Sequence, residues 1–302
     1  MNNNFKSGFI AIIGSPNAGK STLLNQMLGE KISITSSKPQ TTRNRILGIL
    51  QRESSQLVFI DTPGIFKADS ILNNTLVDTA VSAIKDVDLI LVISDVLKHE
   101  SFSEQIVTNI ILKEKKKIFL ALNKIDLIEK SLLLPIIDAW SKKCSSAELT
   151  EIIPISAKNG TQVEKLILSL EKALPYGPQL FPEDAITDMP MRFIASEIIR
   201  EKVFILTGQE VPYATAVTID TFSEGENLCR ISASIHVERD SQKGIIIGNQ
   251  GKMIKKIGET ARKEIEKMVG TKVFLELFVR VKKNWRKDVR ALKEFGYFSD
   301  KK

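Results

Sequence analysis

Residues 14–22 read GSPNAGKST, Gly14 through Thr22. Ahead of them, residues 8–13 form an apolar run of strand length. Behind them, residues 21–28 place Leu24 and Leu28 four apart, on one face of a helix. A strand, a loop with glycines at its first and sixth positions, a lysine and then a helix is the context in which such a loop cradles phosphate. The glycines let backbone N–H groups converge on an anion, and the helix N-terminus adds the positive end of its dipole. The pattern assigns Gly14, Ser15, Pro16, Asn17, Ala18, Gly19, Lys20, Ser21 and Thr22 to the loop. In this reading Lys20 reaches the outer phosphates and the Ser21 hydroxyl ligates Mg²⁺. The plainer alternative is a glycine-rich turn with a solvated lysine.

A nucleotide site of this kind requires further groups at later strand ends, and the sequence supplies them in order. The run 57–60 ends in Asp61-Thr62-Pro63-Gly64, which places a carboxylate to hold Mg²⁺ through water and a Gly64 N–H to sense the terminal phosphate. The run 119–122 ends in Asn123-Lys124-Ile125-Asp126, where Asp126 can accept from both N1–H and the amino group of guanine, a donor pair that adenine lacks. Residues 153–155 lead into Ser156-Ala157-Lys158, whose backbone can meet the guanine carbonyl. Each short motif is weak alone; their order, each behind a strand, makes one strong signal. Between the first helix and the strand at 46–50 lies Ser36-Ser37-Lys38-Pro39-Gln40-Thr41-Thr42-Arg43, a loop able to close over phosphate and metal. Thr42 is the favoured metal-sensing hydroxyl, with Thr41 the alternative.

At 302 residues, two domains are expected. Two distant cysteines, Cys144 and Cys229, suit a reducing cytoplasm, and with His99 and His236 they match no zinc spacing. The first residues lack a signal peptide's apolar core, and no uncharged apolar run is long enough to span a membrane. From residue 8 to 174 strand-like runs (8–13, 46–50, 57–61, 88–94, 117–123, 151–155) alternate with helical segments (101–114, 131–143, 160–174), predicting a mainly parallel α/β sheet with 46–50 and 57–61 as an antiparallel edge hairpin. Pro175, Pro178, Pro182 and Pro190, with Glu183 and Asp184, mark residues 175–190 as a linker.

Residues 191–302 follow a different pattern, with a helix at 191–206, strands at 213–221 and 228–238, a helix starting near Lys252 and a strand at 272–282. In the second strand Ile231, Ala233, Ile235 and Val237 alternate with Ser232, Ser234, His236 and Glu238, which predicts a wet face carrying His236. In the third, Phe274 and Phe278 lie beside cations; packing under a helix is favoured over stacking on bases. The last sixty residues hold 17 Lys/Arg against 7 Asp/Glu, whereas 183–242 hold 5 against 11. So segregated a positive end points to a polyanion, nucleic acid or an acidic membrane surface.

The ordered motifs resemble the translation-factor-related GTPases of the Era type. Within the second domain, Gly248-Asn249-Gln250-Gly251, between an isoleucine run and a helix carrying Lys252, Lys255 and Lys256, is similar to the KH module, whose loop of this form clamps single-stranded nucleic acid. The resemblance covers essentially the full length. It implies a P-loop GTPase domain over 1–174 and an α+β type II KH domain over 191–302. It further implies a cytoplasmic, monomeric GTPase that binds GTP and GDP, holds the 3′ end of small-subunit ribosomal RNA and assists maturation of the small (30S) subunit, with possible peripheral association with the inner membrane. The RNA-binding residues expected are Lys243, Ile247, Gly248, Asn249, Gln250, Gly251, Lys252 and Lys255, with Lys282, Lys283, Trp285 and Arg286 as a phosphate-facing patch. In related GTPases an asparagine in the phosphate loop, here Asn17, helps bind K⁺ in place of an arginine finger. Ile65 follows Gly64 where Ras-like enzymes carry a water-orienting glutamine, so Lys20, Thr42, Asp61 and Gly64 are left as the catalytic groups and slow intrinsic turnover is expected.

Overall fold

The computed structural model describes residues 4–36, 38, 41–68, 70–98, 100–208 and 210–297. Ser37, Pro39 and Gln40 of the threonine loop, His99 and the first three residues lie outside the described residues. The chain divides into two units. One comprises Met1–Ser33, Thr42–Asp69 and Leu76–Asp188; the other comprises Ile34–Thr41, Ser70–Thr75 and Met189–Lys302.

In the first unit, β1 (Lys6–Gly14), α1 (Lys20–Leu28), β2 (Ile46–Gln51) and β3 (Ser55–Asp61) come first, and α2 (Ile71–Ser82), which belongs to this unit from Leu76 onward, follows. Then come β4 (Leu89–Asp95), α3 (Phe102–Ile111), β5 (Lys117–Asn123), α4 (Leu133–Lys143), β6 (Leu149–Ile155) and α5 (Val163–Ala173). The strands form one sheet ordered β2-β3-β1-β4-β5-β6, parallel throughout except for the antiparallel β2–β3 pair expected at the edge. Strands buried on both faces read as nearly continuous apolar runs; all seven residues of β3 and of β4 are buried, with the polar ones, Ser55, Gln56, Asp61, Ser94 and Asp95, confined to the strand ends. Because β1, β3, β4, β5 and β6 run the same way, Gly14, Asp61, Asp95, Asn123 and Ile155 all end at one edge, the carboxyl edge where ligands of such sheets bind. The proline-rich stretch from Pro175 lies against this unit: Ser7 N–H donates to Pro175 O (3.2 Å), and the Leu180 and Phe181 N–H groups donate to Gln56 Oε1 (2.8 and 2.9 Å).

The second unit contains α6 (Met191–Leu206), β7 (Ala216–Ser223), β8 (Leu228–Val237), α7 (Asp240–Ile247), α8 (Lys252–Val269), β9 (Lys272–Val281) and α9 (Val289–Glu294). Its sheet has the order β7-β8-β9, antiparallel between the first two strands and parallel between the last two, an α+β arrangement as expected. Ile231, Ala233, Ile235 and Val237 of β8 pack with Ile257, Ala261 and Ile265 of α8. The isoleucine run before the Gly-x-x-Gly loop closes a helix, α7, with Ile246 buried.

Two expectations fail here. His236 is not on a wet face: it is 8% exposed, its Nε2 stands 2.9 Å from Thr218 Oγ1, and its ring lies against Phe295 (4.6 Å between centroids). The segment after β9 folds back and covers that end of the sheet. Phe274 and Phe278 are not core: they are 47% and 48% exposed, because their side of β9 faces away from α8 while the alternate residues pack inward.

Candidate functional site

β1 delivers Gly14 beside β4, where an added Cβ would sit 2.3 Å from Ile93 O, so only glycine lets the chain turn there. Gly19 has φ 104°, and a Cβ would lie 2.1 Å from Asn123 Nδ2. The loop between them wraps its own lysine: Lys20 Nζ donates to Gly14 O (3.2 Å) and Ser15 O (3.0 Å). Burial lowers the Lys20 pKa to about 8, with the Asp61 and Glu104 carboxylates pulling it back up.

The three residues expected to hold metal meet at this loop. Ser21 Oγ donates to Asp61 Oδ2 (2.7 Å), and Thr42 Oγ1 stands 2.7 Å from Ser21 Oγ. Since Ser21 has one proton and gives it to Asp61, Thr42 is the donor to Ser21. Thr41 turns away, donating from Oγ1 to Lys38 O (2.8 Å), so the hydroxyl beside Ser21 is that of Thr42. Asp61 Oδ2 accepts a second bond from Ser33 Oγ (2.9 Å); its Oδ1 is buried without a partner. Burial pushes the Asp61 carboxyl up, against Ser21, Lys20 and Ser33. A carboxylate with one oxygen left open and hydroxyls gathered at the other is the donor chemistry that suits a hard cation such as Mg²⁺. Beyond Asp61, Thr62 Oγ1 donates to Ile12 O (2.7 Å), and Gly64 lies so close to the loop that a Cβ would fall 2.9 Å from Pro16 Cα. Ile65 is fully buried and its N–H donates to Gly14 O (3.0 Å).

The base-reading motifs are tied to the phosphate loop. Asn123 donates from Nδ2 to Ala18 O (2.7 Å) and accepts at Oδ1 from Ala157 N–H (2.9 Å), joining three loops with one amide. Lys124, at φ 70°, reaches Asp95 (2.6 Å). Asp126 is exposed, with Oδ1 accepting from Ser156 Oγ (2.6 Å), and Lys158 is exposed beyond it. Sequence reasoning missed Ser33, Asp95 and Glu104. Asp95 carries the same signal as Asp61, a carboxylate ending an apolar run. Glu104 carries none; it lies in the first turn of α3 and accepts from Ser15 Oγ (2.6 Å).

The second candidate site is the Gly-x-x-Gly loop. Gly248 has φ 71° and ψ 177°, and a Cβ there would lie 2.6 Å from Met253 Cβ and 2.9 Å from Met253 N. Gly251 is left-handed too (φ 75°) but faces open space. Asn249, Gln250, Lys252, Lys255 and Lys256 are exposed, while Lys243 and Ile247 are half-buried. Beside them a groove of about 470 Å³ runs between α8 and β9, lined by Ile254, Lys255 and Arg262 on one side and by Val273, Leu275 and Leu277 on the other. The patch that follows β9 requires correction. Trp285 is fully buried, donates from Nε1 to Ala214 O (2.9 Å) and stacks on Tyr297; it faces no phosphate. Lys282 pairs with Glu294, and Arg286 grips Glu238 (2.6 and 2.9 Å), which leaves Lys283 as the exposed cation of the four. The run 282–287 reads as basic because its pairing acids lie far away in sequence.

Comparison with known proteins bears on both parts of the chain. Residues 9–124 match a family described as 50S ribosome-binding GTPase, and residues 210–286 match the KH domain. The GTPase Era of Geobacter metallireducens is 56% identical over 98% of this chain and 99% of its own; that of Syntrophus aciditrophicus is 53% identical over 97% and 95%. A crystal structure of Era in complex with MgGDPNP and nucleotides 1506–1542 of 16S ribosomal RNA superposes with a TM-score of 0.94 at 42% identity, covering 98% of this chain and 100% of that one. An Aquifex aeolicus Era variant bound to GDP·AlF4⁻ gives 0.93, also at 42% identity and the same coverage. The chain belongs to the Era family of GTPases.

Proposed function

We propose that this protein is a GTP-hydrolysing switch that holds the 3′ end of small-subunit ribosomal RNA during maturation of the 30S subunit. The observation that carries the reading is the meeting of Lys20, Ser21, Thr42 and Asp61 at one sheet edge, with Asp61 Oδ1 left open. Lys20 binds the outer phosphates, and the Gly64 N–H meets the terminal one. Ser21, Thr42 and, through water, Asp61 are the residues that would hold Mg²⁺. Bound there, the metal neutralises charge developing on the terminal phosphoryl group. Asp126 accepts from both guanine donors, and the backbone of Ser156–Lys158 meets the guanine carbonyl. Asn17, at φ 64° in the loop, is the residue for an activating K⁺. Ile65 cannot hydrogen-bond a water, so turnover is slow without a partner.

The RNA half rests on the open Gly-x-x-Gly backbone, the groove beside it, and the likeness to the Era structure crystallised with RNA. Backbone approaches the glycines, Lys252, Lys255 and Lys256 supply phosphate contacts, and bases enter the groove. In this reading the protein works as a monomer in the cytoplasm. Anionic lipid is the rival partner for the basic end. What separates the two is the Gly-x-x-Gly loop, since a lipid-binding patch needs charge but no clamp geometry, and of the basic run after β9 Lys282 and Arg286 are paired with Glu294 and Glu238. Among the described residues no helix is long and apolar enough to cross a membrane.

The test is Asn249→Asp with Gln250→Asp in the full chain, titrated with a single-stranded RNA of the 3′-terminal 16S sequence and with anionic vesicles. The expected result is loss of RNA binding with GTP affinity retained. Normal RNA binding combined with loss of vesicle binding would transfer the site to lipid. Equal hydrolysis rates in K⁺ and Na⁺ would remove the role given to Asn17.

A further inference from the structure

Glu104 belongs to none of the motifs. It lies in the first turn of α3, where an acid normally faces solvent, yet it is 1% exposed and turned inward onto the phosphate loop. Its Oε1 accepts from Ser15 Oγ at 2.6 Å. The carbonyl of the same Ser15 accepts from Lys20 Nζ at 3.0 Å. A continuous line therefore runs from the helix, through one loop residue, to the phosphate-binding ammonium. The other carboxyl oxygen, Oε2, is buried without a hydrogen bond, and so is Ser94 Oγ of β4 beside it. A carboxyl oxygen buried without a formed hydrogen bond is costly as an anion and less costly once it carries a proton, which it can then donate to Ser94 Oγ.

We propose that Glu104 is a positioning residue for the phosphate loop. By fixing Ser15 it fixes the carbonyl that holds Lys20, and its Oε2 takes up a proton, shared with Ser94, when nucleotide phosphate enters. This rests on the reading that Lys20 binds phosphate. Burial supports the protonation, driving the Glu104 carboxyl up to about 7. The charged groups facing it are Lys20 of α1, which pulls it down, and Asp95 at the end of β4, which pushes it up. Arriving phosphates favour the neutral acid, so nucleotide affinity falls as pH rises from about 6 to 8.

The full-length protein and its Glu104→Ala and Glu104→Gln variants should be compared by fluorescent guanine-nucleotide titration and steady-state hydrolysis between pH 6 and 8.5. Glu104→Ala loses the charge-assisted bond to Ser15 and should raise KM about tenfold with kcat within about threefold. Glu104→Gln keeps an acceptor for Ser15, so its KM at pH 6 should lie within about threefold of the parent, while the fall in affinity between pH 6 and 7.5 flattens. An unchanged KM in Glu104→Ala, or a Glu104→Gln pH profile that overlays the parent's, would overturn the proposal. Thermal melts verify folding, and the near-isosteric Gln variant decides the matter if the Ala variant does not fold. Lys20→Ala is the control for the underlying reading. Were it to bind nucleotide as the parent does, the nucleotide site itself would be misassigned, whatever Glu104 does.

Discussion

At the nucleotide loop, functional side chains hold one another: Ser21 is bonded to Asp61, Thr42 stands on Ser21, and Asn123 ties Ala18 to Ala157. At the Gly-x-x-Gly loop the useful surface is main chain, with Asn249, Gln250 and three lysines projecting into solvent around it. The difference follows from the ligands. A nucleotide has a few charges at fixed positions and rewards buried groups set in advance. A single-stranded polymer presents a repeating backbone and rewards close approach by a chain without side chains. Removing atoms should therefore damage the first site, and adding them the second.

The largest effect expected is at the first. Lys20→Ala removes the buried ammonium and should weaken GTP binding on the order of 100-fold, as the loss of charge-assisted bonds to phosphate implies. RNA binding measured without nucleotide should stay within about twofold of the parent; if it collapsed as well, the contrast between the sites would fail. Next is Gly248→Ala, which forces a methyl group onto Met253 in a backbone conformation that glycine alone adopts freely. It should cost about 2 kcal/mol in urea unfolding and abolish RNA binding while sparing GTP. Gly251→Ala, with open space around it, should cost only about 1 kcal/mol. Equal losses at the two glycines would show that left-handed strain, and not the contact with Met253, limits the loop. Smallest is Phe274→Ala, expected to change stability by less than about 0.5 kcal/mol because the ring is half exposed. A loss above 2 kcal/mol would return that ring to the core.

The same contrast explains what was legible beforehand. Much of the first unit could be read from the sequence, since four of its strands, β1, β3, β5 and β6, end in a motif whose chemistry requires Gly14, Asp61, Asn123 and Ser156 to meet at one edge of the sheet. Thr42 could not be separated from Thr41, because two adjacent hydroxyls carry the same signal until the backbone sets their directions. Glu104 was invisible, since its partner Ser15 lies 89 residues away. In the second unit, alternation placed the apolar face of β8 correctly and misjudged His236, because whether the other face is wet depends on α9 returning over it. Trp285 was misread for the same reason. Its neighbours in sequence are cations, but its neighbours in space are Phe295 and Tyr297.

The parallel pairing of β8 with β9 also bears on how the chain is made. β7 and β8 are joined by a short link and can pair as soon as both have left the ribosome. The partner for the other edge of β8 arrives much later: Leu228 waits for Lys272, with α7 and α8 translated in between. During that interval the nascent chain carries a strand with one edge unpaired, a template on which a second unfinished copy can add. α8 emerges before β9 and can cover Ile231, Ala233 and Ile235 with Ile257, Ala261 and Ile265, which hides the apolar face but not the open edge. A chain cut short before residue 272 keeps that edge open permanently, and its fate is aggregation or proteolysis.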